Sequence, residues 1–216
     1  MKKIGILGTG MVGSTIATKM FELGYDVKMG SRSATNEKAL EWVVNKGAKA
    51  SVGTFDEVAA FGEIVFICLK GEAVLPVIKM LKTKLSGKIV VDISNPLDFS
   101  KGMPPFLIPE LTNTNSLGEE VQKALPDSYV VKTLNTVSAL IMVAAAKPGG
   151  APSMFLSGNN RDAKQEITAL LKLFGWEDII DLGDITTARG TEMLLPIWLR
   201  TMFVFGHANF AFKVLR

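Results

Sequence analysis

The stretch Gly8-Thr9-Gly10-Met11-Val12-Gly13 follows the apolar run Lys3 to Leu7 and leads into a helical pattern from Ser14 to Leu23. Its G-x-G-x-x-G spacing is a weak signal alone and a specific one when a strand precedes it and a helix opens on it. Each glycine then has a task. Gly8 permits the tight turn, Gly10 lets a phosphate group approach the backbone, and Gly13 lets the helix lie close on the strand. The start of the helix offers unpaired N–H groups and the positive end of its dipole to an anion. The competing reading is a plain strand-to-helix turn with incidental glycines. The ordered succession of strand, turn, helix and second strand favours the anion-binding reading.

Working outward, strands are predicted at Asp26 to Met29, Lys49 to Val52, Glu63 to Leu69, Lys88 to Ile93 and Tyr129 to Leu134. The Glu63 and Lys88 runs are continuously apolar and bounded by turn signals, as expected of strands covered on both faces. Helical spacing falls between them, from Asn36 to Lys46 and from Val74 to Leu85. Past Lys147-Pro148-Gly149-Gly150 the alternation restarts on a smaller scale. It gives a strand at Met154 to Leu156, a helix from Arg161 to Phe174, a strand at Glu177 to Leu182 and a helical segment from Ala188 to the end. Such alternation predicts an α/β protein. The expected fold is a Rossmann doubly wound parallel sheet, with residues 1–147 as the nucleotide-binding domain and 148–216 as a small C-terminal α/β appendage.

The bulk properties set limits. A chain of 216 residues has room for one such domain and a small addition, since a domain takes roughly 100 to 200 residues. A net charge of +3, with no dense Lys/Arg run, gives no footprint for nucleic acid. The apolar stretch at the N-terminus breaks at Gly8, too soon for a signal peptide. No uncharged apolar run reaches the ~18 residues of a membrane span. Met193 to Phe212 comes nearest and carries Pro196, Arg200 and His207. Cys68, the single cysteine, sits in an apolar run and reads as a small core residue. A cytoplasmic protein without a metal site or a membrane anchor is expected.

The end of the second strand discriminates between dinucleotides. A site for NAD places an Asp or Glu about 20 residues after the glycines, on the ribose 2′-hydroxyl. Here the chain reads Met29-Gly30-Ser31-Arg32-Ser33. An acid would repel a 2′-phosphate, whereas an Arg fork flanked by hydroxyls binds one, so NADP(H) is the expected cofactor. Three later loops lie outside the carboxyl ends of strands, where the cofactor should continue. These are the loop with Leu69 and Gly71, the turn at Asn95-Pro96, and Asn135-Thr136-Val137, whose backbone could hold the carboxamide.

The glycine turn together with Gly30-Ser31-Arg32 resembles the coenzyme F420-dependent NADP oxidoreductase family. The resemblance continues in Ser157-Gly158-Asn159-Asn160, similar to a Gly-Asp-Asp segment, and in Asp181-Leu182-Gly183-Asp184 with Ala188-Arg189 and Glu192. It implies that Thr9, Gly10, Met11 and Val12 meet the pyrophosphate and that Ser31 and Arg32 meet the 2′-phosphate. Gly71 and Asn95 would lie along the cofactor, with Val137 and Ala139 beside the nicotinamide. It further implies hydride transfer to a deazaflavin held partly by the C-terminal region. The tail Phe205-Gly206-His207-Ala208-Asn209-Phe210-Ala211-Phe212-Lys213 departs from the family's glycine-rich ending, and Asn36 stands where some members carry a Lys. Similar modules in metalloreductases serve an ordinary flavin, so the acceptor stays open between the two rings.

A carbonyl reductase needs a general acid with a tuned pKa. His207 is the single histidine, in an aromatic stretch where a packed or rim position is the commoner role. Lys132, Lys147 and Arg189 are cations for phosphate or substrate, or else solvated surface charges. Transfer between two rings asks mainly for alignment, because the cofactors carry the chemistry. The sequence therefore favours an NADPH:flavin or deazaflavin oxidoreductase with no assigned catalytic side chain. The alternatives are a reductase of a small carbonyl or imine using His207, and a non-catalytic NADP(H) sensor. The apolar C-terminal stripe (Met193, Leu195, Ile197, Trp198, Met202, Phe203, Phe205) is expected to form a homodimer interface or the wall of the acceptor pocket.

Overall fold

The computed structural model describes residues 2–145 and 150–216. In chain order the elements are β1 (Lys3–Leu7), α1 (Met11–Glu22), β2 (Asp26–Ser31), α2 (Glu37–Val43), β3 (Ala50–Thr54), α3 (Phe55–Phe61), β4 (Ile64–Ile67), α4 (Gly71–Leu85) and β5 (Ile89–Asp92). There follow β6 (Leu97–Asp98), β7 (Phe106–Leu107), α5 (Leu117–Ala124), β8 (Tyr129–Thr133), α6 (Ala139–Met142), β9 (Ser153–Ser157), α7 (Arg161–Leu173), β10 (Asp178–Asp181), α8 (Ala188–Met193) and α9 (Leu195–Phe205).

Among the described residues, ten short strands give one large sheet and one small ribbon. The large sheet runs β10-β9-β8-β5-β4-β1-β2-β3, and β6 pairs with β7 apart from it. From β8 to β3 every neighbouring pair is parallel, as are β9 and β10, while β8 and β9 run antiparallel through Lys132↔Ser157 and Thr133↔Leu156. The sheet is thus parallel with one reversal. The Lys147/Pro148 division lies outside the described residues, and the strands on either side of it belong to the same sheet.

The continuous apolar runs now have their cause. Ile4, Ile6, Ile64, Phe66, Ile89 and Val91 face one layer of helices, and Leu7, Val65, Ile67 and Val90 face the other. A period of two with both sides covered reads as unbroken hydrophobicity. A third, smaller cluster gathers Leu195, Trp198 and Leu199 of α9 with Leu97, Leu107, Phe210 and Phe212. The C-terminal helical segment is shorter than the sequence suggests. It ends at Phe205, where Gly206 takes a left-handed conformation (φ 70°), and the tail then runs back so that Ser153 N–H donates to the Phe212 carbonyl at 3.0 Å.

The strand order reverses direction between β1 and β4, the switch point at which an open sheet leaves a crevice beyond its strand ends. Here the backbones crowd. A Cβ on Gly8 would lie 2.3 Å from the Cys68 carbonyl oxygen, and one on Gly13 would lie 2.2 Å from that of Gly8. A Cβ on Gly10 meets nothing within 4 Å, and the residue is exposed at the N-cap of α1 with φ −77°. The same three glycines therefore separate by role. Gly13→Ala is expected to cost about 2–3 kcal/mol through overpacking, whereas Gly10→Ala should unfold at the wild-type denaturant midpoint. Paired urea melts followed by circular dichroism check this contrast.

Candidate functional site

The crevice at the switch point is a cavity of about 380 Å³ with a two-part lining. The sheet side supplies Met11, Val12, Leu69, Gly71, Asn95, Val137 and Ala139. The other side is Leu97 and Phe99 from the β6 ribbon and Leu195, Trp198 and Leu199 from α9. Seven of the thirteen sequence-derived binding residues thus line one cleft, with Gly8 to Gly10 forming the turn before Met11 and with Ser31, Arg32 and Pro96 outside the lining. Pro96 is buried just behind Asn95, and Gly71 is needed where it stands, because a Cβ there would lie 2.1 Å from the Asn95 carbonyl.

The head of the cleft fits an anion. Gly10 gives α1 no side-chain cap, and no acid stands in the first turn of the helix, so its leading N–H groups and dipole face solvent unopposed. Further along the rim, Ser31 is buried at the end of β2 and its hydroxyl is already committed. It donates to the Ser33 carbonyl at 2.7 Å and accepts from Ser33 N–H at 3.1 Å. Ser31 therefore braces the loop, and the exposed Arg32 makes no ion pair or hydrogen bond with the described residues. An uncommitted guanidinium at this point, with no carboxylate at the strand end, fits a 2′-phosphate.

The far rim is tied across strands. Asn95 Nδ2 donates to the Asn135 carbonyl at 2.9 Å, and Asn135 Nδ2 returns a bond to Asn95 Oδ1 at 2.9 Å. Among the residues lining the cleft, Lys70 is the one ionisable side chain. His207 is exposed and absent from that lining. Its Nδ1 accepts from Asn209 N–H at 3.2 Å, and its ring lies against Phe205. The apolar C-terminal stripe divides. Leu195, Trp198 and Leu199 face the cleft, while Ile197, Phe203, Val204 and Phe205 are exposed.

Two of the cations offered for phosphate or substrate are used inside the protein, and Lys147 lies outside the described residues. Arg189 grips Glu119 through Nε to Oε2 at 2.8 Å and Nη2 to Oε1 at 2.6 Å. Lys132 is fully buried, 2.9 Å from Asp92 Oδ2 and 2.7 Å from Glu192 Oε1. Burial works to lower its pKa, but Asp92 and Glu192 outweigh that and hold it above the ordinary lysine value, charged. A Lys in an apolar strand has the same letter whether its head finds water or a carboxylate. An acid at a strand end, Asp92, aligned in register with Lys132 across β5 and β8, was the available signal.

No group of three or more His, Cys, Asp or Glu suited to a metal ion occurs among the described residues, and none of the described helices is long and apolar enough to cross a membrane.

This fold and cleft are those of the NADP-dependent oxidoreductases, and known proteins agree. The profile of the family described as NADP oxidoreductase, coenzyme F420-dependent, matches residues 3–96. A protein from Arthrobacter sp. FB24, provisionally classed as an F420-dependent NADP-reductase, has a crystal structure that matches with a TM-score of 0.93 at 45% identity over 100% of both chains. The F420-dependent NADP reductase of Methanothermobacter marburgensis is 26% identical over 203 residues, or 90% of each chain. Metalloreductase STEAP3 of Rattus norvegicus is 28% identical over 200 residues; the match takes in 91% of this chain but 38% of that longer protein. The chain belongs to the coenzyme F420-dependent NADP oxidoreductase family.

The Arg189–Glu119 grip sets a pH dependence. Its hydrogen bonds hold the Glu119 carboxyl below the ordinary glutamate value of 4.5, so its stabilisation is complete above that value and is lost as pH falls through the lowered one. Arg189→Met should therefore melt at a lower temperature than wild type at pH 7, by a small margin because the guanidinium is partly solvated. The gap from wild type should narrow below pH 4.5, as thermal melts across a pH series would show.

Proposed function

We propose that the chain transfers hydride between NADP(H) and a flavin- or deazaflavin-type ring. One observation carries this reading: the cleft continuing from the glycine turn is walled by Phe99, Leu195, Trp198 and Leu199 and offers Lys70 as its single ionisable group. Reduction of a carbonyl needs a proton donor with a tuned pKa beside the oxygen. Transfer between two flat rings needs alignment at contact distance in a site that excludes water. The lining suits the second task. The F420 in the names of two relatives supports a deazaflavin-type ring.

When bound, the nicotinamide gives or takes a hydrogen with two electrons. The protein's residues do the holding. Gly8, Thr9, Gly10, Met11 and Val12 receive the pyrophosphate at the start of α1. Arg32 pairs with the 2′-phosphate on the loop that Ser31 braces. Leu69, Gly71, Asn95 and Pro96 line the path beyond, Val137 and Ala139 flank the nicotinamide, and the backbone at Val137 holds its carboxamide. Residues 148–216 supply the acceptor wall. We further propose a cytoplasmic homodimer, supported by the exposed apolar face of α9 and the lone cysteine.

Arg32→Glu is expected to weaken NADPH binding by about 10- to 100-fold, the loss of a charge-assisted hydrogen bond, and to shift preference toward NADH. Titration of nicotinamide fluorescence measures both, and retained NADPH preference would overturn the assignment. Stopped-flow oxidation of NADPH with a panel of deazaflavins, flavins and quinones tests the acceptor class. We expect turnover with at least one ring acceptor, unchanged in His207→Ala. A drop in that variant would favour the carbonyl or imine reductase, and silence across the panel would favour a sensor.

A further inference from the structure

The ammonium of Lys132 has three donors, and three acceptors use them: Asp92 Oδ2 at 2.9 Å, Glu192 Oε1 at 2.7 Å and the Ser94 carbonyl at 2.6 Å. None of the three charged side chains is more than 1% exposed. The carboxylates are held from their other sides too. Asp92 Oδ1 accepts from Ser94 N–H at 2.9 Å, while Glu192 accepts the first N–H groups of α5, Leu117 on Oε2 at 2.8 Å and Gly118 on Oε1 at 2.9 Å.

One end of this network is on the sheet side of the cleft, and the other leads through α8 to the α9 wall. Ser94 precedes Asn95 on the rim that faces the nicotinamide end. Glu192 is in α8, and α9 follows α8 directly, Leu194 ending one helix and starting the other. The wall residues Leu195, Trp198 and Leu199 thus sit where Glu192 places them. One buried ammonium ties both sides of the site together and reaches the cleft lining only through the Ser94 carbonyl.

Energy alone does not call for charges here, because apolar side chains of similar volume often replace buried ion networks without loss of stability. An apolar core would fill the space but would exert no directional hold on the Ser94 carbonyl. We propose that Lys132 and Glu192 are a positioning pair that fixes the gap between the Ser94-Asn95 rim and the α9 wall, and thereby the alignment of the acceptor with the nicotinamide. The inference rests on the hydride-transfer reading above. It makes no claim on binding of NADP(H), whose phosphates lie at the other end of the cleft.

The test uses the full chain with Lys132→Met, Glu192→Gln and their double variant, and with Glu192→Asp, which keeps the charge but shortens the tether, in case the first three fail to fold. Expected for folded variants is NADPH affinity within about 3-fold of wild type and a hydride step slower by roughly 10- to 100-fold. The primary isotope effect from NADPH deuterated at C4 should grow, and the losses in the two single variants should not add in the double. Unchanged rates in a folded variant would overturn the proposal. So would NADPH affinity falling in step with the rate, the mark of general loosening. Hydrogen exchange provides a readout that needs no acceptor. In Glu192→Asp the amides of residues 93–97 and 188–199 should exchange faster together while those of 8–13 do not, and independent behaviour of the first two segments would overturn the pair. If wild type oxidises NADPH with no ring acceptor, the functional reading fails, and the exchange result still decides whether the two sides are coupled.

Discussion

The turn after β1 lies so close to the end of β4, and α1 so close to the turn, that neither Gly8 nor Gly13 has room for a side chain, each facing a backbone carbonyl where a Cβ would have to sit. This crowding closes the floor of the crevice and brings the start of α1 against the sheet at the switch point. The same constraint recurs one strand further out, where Gly71 lies under the Asn95 carbonyl. Backbone packing of this kind leaves the free N–H groups of the helix and the rim amides as the surface a ligand meets. The polar surface around the glycine turn is thus built from main chain, which no side-chain rotamer can misplace.

The second half of the cleft is built differently. Its wall comes from a helix more than 50 residues beyond β8 in sequence, and its place is set by ions rather than by a close-packed turn. Arg189 on Glu119 and Glu192 on Lys132 both fasten α8, one at the half-buried edge and one in the dry interior. Trp198 then stacks on Phe210 with ring centroids 5.3 Å apart, so the tail after Gly206 backs the wall instead of extending the helix. An apolar wall fixed by a polar frame is the combination that the proposed transfer between two flat rings calls for.

Much of this was legible in the letters. The glycine turn, the alternation of strands and helices, and Ser31-Arg32 at the end of β2 specified the architecture and the head of the site, because each depends on local chemistry. Three helices escaped notice, the single turn α6 and two that begin with the capping pattern, Thr54 to Glu57 for α3 and Ser116 to Glu119 for α5. Helices α3 and α5 are only 7 and 8 residues long, too short for periodicity to be a guide. The antiparallel return at β9 and the end of α9 at Gly206 depend on pairing with distant segments. Lys132 was misjudged for the same reason: its partners lie 40 and 60 positions away along the chain.

That separation bears on the order in which the molecule can be assembled. Ribosomes deliver Lys132 long before Glu192, and domains begin folding N-terminal first during synthesis. Until α8 emerges, the ammonium has Asp92 and the Ser94 carbonyl but lacks its second carboxylate, and the first N–H groups of α5 lack their acceptor. The nucleotide half can therefore pair its strands early, while the end of β8 stays open to water. Closure of the dry interior waits for the last quarter of the chain, so the α9 wall and the final sealing of the sheet are completed in one event.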